Sequence, residues 1–269
     1  MPRRDDDPNF IEAIARGFDV IRAFESARPV MTLSEVSTAT GLARPTVRRI
    51  LLTLESLGYA RARTRGYALT PRVLELGLTY VQALGLWDVA RPHLEALVAR
   101  TNESSSVAQL DGSDIVYVAR VSVPKIITIA VNIGTRFPAP ATSMGKVLLA
   151  GLTPEELDRT LAQPTRSSVR ATWQPDRAEL DPVLRNVRAR GWALTDEQLA
   201  PGIRSVAAPV RDGAGRVVAA MNVTVHAAET PVQVLTGEYL PLLLHTASAV
   251  SADFALRDAL PISPAPTAS

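Results

Sequence analysis

The stretch TLSEVSTATGLARPTVRRILLTLESLGYA, Thr32 to Ala60, decides the N-terminal fold. Thr32-Leu-Ser-Glu35 is a capping box: the threonine accepts from the backbone at Glu35, whose carboxylate reaches back. Leu33, Val36 and Ala39 then give a short helix that stops at Gly41, a residue suited to the left-handed turn that ends a helix. A second helix follows almost at once, from about Arg44 to Leu57, with Val47, Ile50, Leu51, Leu54 and Leu57 as its core face. Beyond Gly58 the period changes. Tyr59 to Arg63 alternates, Thr64-Arg65-Gly66 is a turn, and Tyr67 to Leu69 returns as a hairpin with Arg65 at its tip.

Two short helices around a tight glycine turn, followed by a basic hairpin, form a winged helix-turn-helix pattern. The major groove of B-DNA admits one helix, so the second helix must turn polar side chains outward from a packed base. Its outward arc holds Pro45, Arg48, Arg49, Leu52 and Ser56, with Arg44 and Thr46 at the N-terminal end, where base contacts usually fall. Arginine can read guanine O6 and N7 together, and threonine can touch phosphate or a thymine methyl. Arg65 is placed to reach the minor groove or a phosphate. Leu52 fits no DNA contact and is expected to pack under the hairpin. Helix-turn-helix geometry also serves protein–protein contact; the hairpin and the charge favour DNA.

The charge is uneven. Arg28 to Arg72 carries eight arginines against Glu35 and Glu55, whereas Val73 to the end carries 17 basic and 19 acidic residues, within a net charge of +2. A basic small domain on a near-neutral body points to a polyanion at one end.

Upstream, Phe10 to Ala27 reads as an amphipathic helix with the stripe Phe10, Ile14, Phe18, Ile21 and Phe24. Downstream, Arg72 to Leu84 reads as a linker helix apolar on more than one side, suited to packing against another element or subunit. From Trp87 the texture is mixed α/β. Helices are expected at Trp87–Thr101, Ala141–Leu152, Pro154–Leu161, Asp176–Arg190 and Val232 to about Leu256. Strands are expected at Ser105–Leu110, Ile115–Val121, Lys125–Ile133, Val206–Val210 and Val217–Val225. The resulting plan is α+β: a disordered start (1–9), a DNA-binding domain (10–71), the linker (72–86), an α/β domain (87–258) and a Pro/Ala/Ser-rich tail (259–269).

In the α/β domain, the run ATSMG from Ala141 to Gly145 opens a helix with small and hydroxyl residues. A helix N-terminus offers free N–H groups and partial positive charge, which suits a carboxylate. Ser205 sits just before a strand, and Asn222 and Thr224 share one face of another. Two placements are open: a ligand pocket, or an N-cap role for Ser143 with the sheet pair facing solvent. Arg136 and Arg204 are candidate carboxylate partners or structural arginines.

Other chemistries find little support. The chain of 269 residues has no cysteine, which removes disulfides, thiolate metal sites and a thiol nucleophile. No apolar run approaches about 18 residues and no signal peptide is visible, so the cytoplasm is the expected location and no membrane is expected. Ser143-Met-Gly-Lys146 matches the S-x-x-K pattern of serine acylases, but no S-D-N or K-T-G follows. Gly145-Lys146 is followed by Val147, and position 140 is proline, which rejects a P-loop. His93, His226 and His245 lie far apart. No cofactor or metal is expected. An enzyme with a DNA-binding appendage and a ligand-independent DNA-binding protein remain the competing classes.

The sequence resembles the IclR family of bacterial transcriptional regulators. The resemblance rests on the Thr32–Ala60 stretch, on YALTPRVLELGL (Tyr67–Leu78), on PATSMGKVLLAG (Pro140–Gly151) and on GIRSVAAPVRDGAGRVVAAMNVTVH (Gly202–His226). Several segments, LDGSDIVYVARV among them, are most similar to the branch that regulates the β-ketoadipate pathway of aromatic-acid breakdown. The resemblance implies a winged helix-turn-helix domain, a linker helix used in dimerisation, and a GAF-like α/β domain that binds a small organic acid. It implies a homodimer or homotetramer on a double-stranded DNA operator. It also implies pocket residues at Ser143, Met144, Ser205, Asn222, Thr224 and Phe137, although some relatives carry cysteine at Ser205 and serine at Asn222.

Overall fold

The computed structural model describes residues 9–24, 28–77, 85–124 and 131–259. The chain divides into two compact units, Met1–Ala83 and Leu84–Ser269.

In the first unit, α1 (Glu12–Ala23), α2 (Leu33–Thr40) and α3 (Arg44–Ser56) precede a hairpin of β1 (Ala60–Arg63) and β2 (Gly66–Leu69). The capping box forms: Thr32 Oγ1 accepts from the Glu35 N–H, and Glu35 accepts from the Thr32 N–H at 2.7 Å. Gly41 ends α2 at φ 70°, and Pro45 sits in the first turn of α3, where its missing N–H costs nothing. Val20, Met31, Val36, Val47, Leu51, Leu54 and Ala60 form the core. Gly66 stands at φ 138°, and a Cβ there would lie 2.3 Å from the Met31 carbonyl. Only glycine lets β2 approach the Met31–Tyr67 bridge so closely.

Three expectations about this unit are corrected. The stripe on α1 is only half used: Ile21 and Phe24 pack partly against the core, Phe10, Ile14 and Phe18 are exposed, and the buried residue of α1 is Val20, off the stripe. Leu57 is exposed, because α3 has already ended at Ser56. Leu52 is 40% exposed and belongs to no core cluster, so it does not pack under the hairpin. Of the expected linker helix, residues 73–77 are helical, and residues 78–84 lie outside the described residues.

The second unit is a six-stranded antiparallel sheet, in spatial order β5-β4-β3-β8-β7-β6. Its elements are α4 (Leu86–Thr101), β3 (Ser104–Asp111), β4 (Asp114–Val121), β5 (Arg136–Pro138), a 3₁₀ turn at Ala139–Ala141, α5 (Ser143–Ala150), α6 (Pro154–Leu161), α7 (Arg177–Arg190), β6 (Ala193–Asp196), β7 (Ile203–Arg211) and β8 (Val217–His226). A last helix begins at Val232–Val234, passes through a π turn at Leu235–Tyr239 and continues as α8 (Leu240–Ala259). The strands β5 and β6 are too short to show alternation in the sequence. Residues 131–133 are not strand, and the rest of the expected Lys125–Ile133 strand lies outside the described residues.

Alternation along the strands builds two cores. Val206, Ala208, Val210, Met221, Val223 and Val225 face α4 and α8. Ala207, Ala220, Ala108 and Tyr117 share the opposite face with α5 and α7. The small alanines let α5 lie close on the sheet, and all eight of its residues are buried. Gly145 makes this approach possible: a Cβ on it would lie 2.0 Å from the Ala139 carbonyl.

Candidate functional site

The first unit carries a cationic surface. Arg44, Arg48 and Arg49 on α3 and Arg61, Arg63 and Arg65 on the hairpin are all exposed. None of the six forms an ion pair with any described residue. Arg65 stands in the turn, since Arg63 pairs with Gly66. Glu55, seven residues beyond Arg48 and on the same side of α3, accepts from the Ala62 N–H at 2.9 Å and ties the helix to the hairpin. Arg72 braces the base of the hairpin, lying over the Tyr59 ring at 5.2 Å and donating to the Leu57 carbonyl. Thr46 is half-buried and, with Arg49, lines a groove between α1 and α3. Arg49 therefore stands on the α1 side of α3, and Arg44 and Arg48 on the hairpin side.

The second unit holds a cavity of about 70 Å³ between the sheet and the first turn of α5. Phe137, Ser143, Met144, Ser205, Asn222 and Thr224 all line it. A buried water needs roughly 10–15 Å³ on this measure, so the space is on the order of several water-sized groups. A wider groove of about 650 Å³ beside Trp173 and Arg177 contains none of these six.

The cap of α5 is Thr142, whose hydroxyl accepts from the Gly145 N–H at 3.0 Å. Ser143 is thereby free of capping. Its hydroxyl instead lies 2.7 Å from that of Ser205, which lies 3.0 Å from the Thr195 hydroxyl on β6. Asn222 is buried rather than solvent-facing: its Oδ1 accepts from the Ser106 N–H at 3.0 Å, and its Nδ2 donates to Thr224 Oγ1 at 2.8 Å.

Strand register explains the convergence. Thr195, Ser205, Thr224 and Ser104 are successive cross-strand neighbours from β6 to β3. Beside them, Asn222, Ser106 and Arg120 run from β8 to β4. The cavity floor is thus a polar strip on an otherwise alanine-rich face. Tyr117 and Phe137 close one side as an edge-to-face pair with centroids 5.7 Å apart. Burial pushes the Tyr117 phenol up to about 12, so it stays neutral.

Arg136 and Arg204 do not reach the cavity. Arg136 pairs with Asp111 and lies 3.8 Å from Asp114, while Arg204 pairs with Asp196 at 2.7 Å and donates to the Ala227 and Thr230 carbonyls. The arginine that lines it is Arg120, which the sequence reading missed along with Thr195 and Tyr117. Burial pulls its guanidinium below the usual value. The S-x-x-K pattern does not form a catalytic pair. Lys146 Nζ donates to Gln198 Oε1 and stands 4.6 Å over the Trp173 ring. Burial, and then Arg190, lowers this amine to about 7.

Residues 13–64 match the IclR helix-turn-helix domain, and residues 78–252 match the C-terminal domain of the bacterial transcriptional regulator IclR. The chain belongs to the IclR family. It is therefore a helix-turn-helix transcriptional regulator with an effector-binding C-terminal domain, not an enzyme. Among IclR-family relatives it is 37% identical over 239 residues to the Pca regulon regulatory protein of Pseudomonas putida, covering 88% of this chain and 82% of that one. The crystal structure of a transcriptional regulator from Rhodococcus sp. RHA1 is 46% identical, with a TM-score of 0.80 over 92% of this chain and 100% of that one. The inducer-binding domain of an Acinetobacter PobR variant, solved with 3-hydroxybenzoic acid, is 30% identical, with a TM-score of 0.56 over 61% of this chain and 97% of that one. Among the described residues no helix is long and apolar enough to cross a membrane.

Proposed function

We propose that this regulator binds an operator as a homodimer or homotetramer and that a small aromatic or dicarboxylic acid in the α5 cavity tunes that binding. Arg44, Thr46, Arg48 and Arg49 read or brace the major groove, and Arg65 reaches the backbone or minor groove beside it. The acid's carboxylate lies at the first turn of α5, among Ser143, Ser205 and Thr195, where the N–H groups of Ser143 and Met144 have no partner within the helix. Phe137 and Met144 supply apolar walls; Asn222 and Thr224 supply the polar floor. The linker, residues 72–86, carries the response between units. A ligand shifts DNA affinity only by the difference in its affinity for the two states of the dimer.

The observation that carries this reading is the convergence of six residues, drawn from β5, α5, β7 and β8, on one cavity. The PobR inducer-binding domain solved with 3-hydroxybenzoic acid supports the aromatic part of that ligand class. The test is binding to the DNA upstream of the protein's own coding sequence at fixed salt, with and without a panel of aromatic and dicarboxylic acids. Salt must be fixed because phosphate contacts make affinity steeply salt-dependent. A specific complex whose affinity one acid changes is expected. Specific binding that no acid alters removes the effector half of the proposal.

A further inference from the structure

Lys146 is buried without an acid to meet. It is 2% exposed, and no described carboxylate pairs with it. A methionine would fill the same place on α5 without the cost of desolvating an amine, so the amine's partners indicate what it serves. They are Gln198 Oε1, to which Nζ donates, and the face of Trp173. Those two residues are also joined through their backbones. The Trp173 N–H donates to the Gln198 carbonyl at 2.9 Å, and the Thr172 N–H to the Leu199 carbonyl at 3.2 Å. Lys146 therefore clamps a junction between residues 172–173 and 198–199.

This junction is part of the cavity wall. Leu199 lines the cavity, with Ile203 beside it, while Trp173 lines the wider groove, so the two spaces meet across it. The cavity of about 70 Å³ holds roughly five to seven water-sized groups. Benzoate, the smallest aromatic acid, has more non-hydrogen atoms than that, so a wall must yield to admit it. Most of the walls are fixed: Ser205, Asn222, Thr224 and Tyr117 stand on strands paired on both sides, and α5 is wholly buried. Residues 197–202 lie in no helix or strand. Glu197 opens them at φ 55°, a left-handed conformation that a glutamate seldom adopts. The Glu197 N–H donates to the Ile203 carbonyl and the Gly202 N–H to the Glu197 carboxylate, both at 2.8 Å, so the loop is closed on itself. It can swing as one piece once the junction parts.

We infer that Lys146 is a positioning residue for effector capture: by holding Gln198 against Trp173 it keeps Leu199 closed over the cavity, and the acid enters and leaves when this junction parts. This rests on the effector reading above and concerns how the acid gets in, not which acid it is.

The experiment pairs hydrogen–deuterium exchange with stopped-flow binding on the full-length protein. In Lys146→Met the amides of Thr172, Trp173 and residues 197–203 should exchange about tenfold faster than in the wild type, while those of β8 keep their rates. Gln198→Leu, a change in the loop rather than the core, should do the same, and the double variant should exceed neither. Lys146→Arg should restore part of the protection. With 4-hydroxybenzoate, 3-hydroxybenzoate and adipate as probes, Lys146→Met should speed association and dissociation together, each about fivefold or more, so that Kd moves less than either rate. A merely structural lysine would leave association unchanged. Wild-type exchange at residues 172–173 in both single variants, folded by thermal melt, overturns the inference with no acid needed. So does an unchanged association rate for an acid that the wild type binds. Absence of binding by all three acids removes the effector reading itself, and this role of Lys146 with it.

Discussion

The hydroxyls of Ser143 and Ser205 lie 2.7 Å apart although 62 residues separate them in the chain. This contact joins the first turn of α5 to the sheet in the lining of the cavity. Ser205 is the middle member of the trio, so Ser205→Val leaves the Ser143 and Thr195 hydroxyls without their shared partner. An unmet buried hydroxyl costs about 1–3 kcal/mol. Melting should show a loss of that order, and titration should show effector affinity down about tenfold or more. DNA affinity without effector should hold. A variant that responds to effector like the wild type would take Ser205 out of the site.

Arg48 and Arg65 are exposed and free of described ion pairs, so neither contributes much to the fold. Arg48→Ala and Arg65→Ala should each melt within about 0.5 kcal/mol of the wild type. Each should also weaken operator binding. If Arg65 meets a phosphate, its loss lowers the slope of log affinity against log salt by about 0.9 and weakens all sequences alike. Arg48→Ala should instead relax preference at one base pair. Unchanged affinity in anisotropy titrations would remove either residue from the interface.

Lys146 makes stability depend on pH. Its amine falls from 10.5 to about 7 in the folded chain, chiefly through burial. Between about 7 and 10.5 the unfolded chain holds a proton that the folded chain lacks, so this group makes stability rise with pH across that window. Below about 7 both states are protonated and the cost of burying the charge is fully present. Relative to Lys146→Met, the wild type should gain about 2 kcal/mol between pH 6.5 and 9 in urea melts. Parallel pH dependences for the two proteins would refute the assignment.

Gly145 is held against the Ala139 carbonyl, with no room for a Cβ. Gly145→Ala must push α5 off the 3₁₀ turn, at a cost of about 1–3 kcal/mol. Because Ser143 and Met144 ride on that turn of helix, effector affinity should fall as well. Full stability by denaturant melt would show that the contact relaxes without moving α5.

The local features were readable from the sequence because their causes are local. Thr32 and Glu35 cap α2, Gly41 ends it and Arg65 occupies the hairpin tip, all within a few residues of one another. The resemblance to the family also placed Ser143, Ser205, Asn222 and Thr224. Arg120 and Thr195 were not readable, because they reach the cavity through cross-strand register with Ser106 and Ser205, which no spacing in the chain reveals. Arg136 and Arg204 were the carboxylate partners that the sequence offered, and Arg120 was not among them. Their acids, Asp111 and Asp196, become neighbours only once β3, β4 and β5 pair and β6 pairs with β7. The α1 stripe misled because periodicity marks a face without saying what covers it.

In the proposed mechanism the α5 cavity and the operator are coupled through one protein. Coupling is reciprocal: an effector that changes operator affinity by some factor must have its own affinity changed by the same factor when operator is bound. The direct measurement is the affinity of the active acid in the absence of DNA and with operator at saturation, in one buffer. Saturating operator is expected to shift the acid's Kd by the same factor as the acid shifts the operator's Kd. An acid affinity that saturating operator leaves unchanged would contradict it.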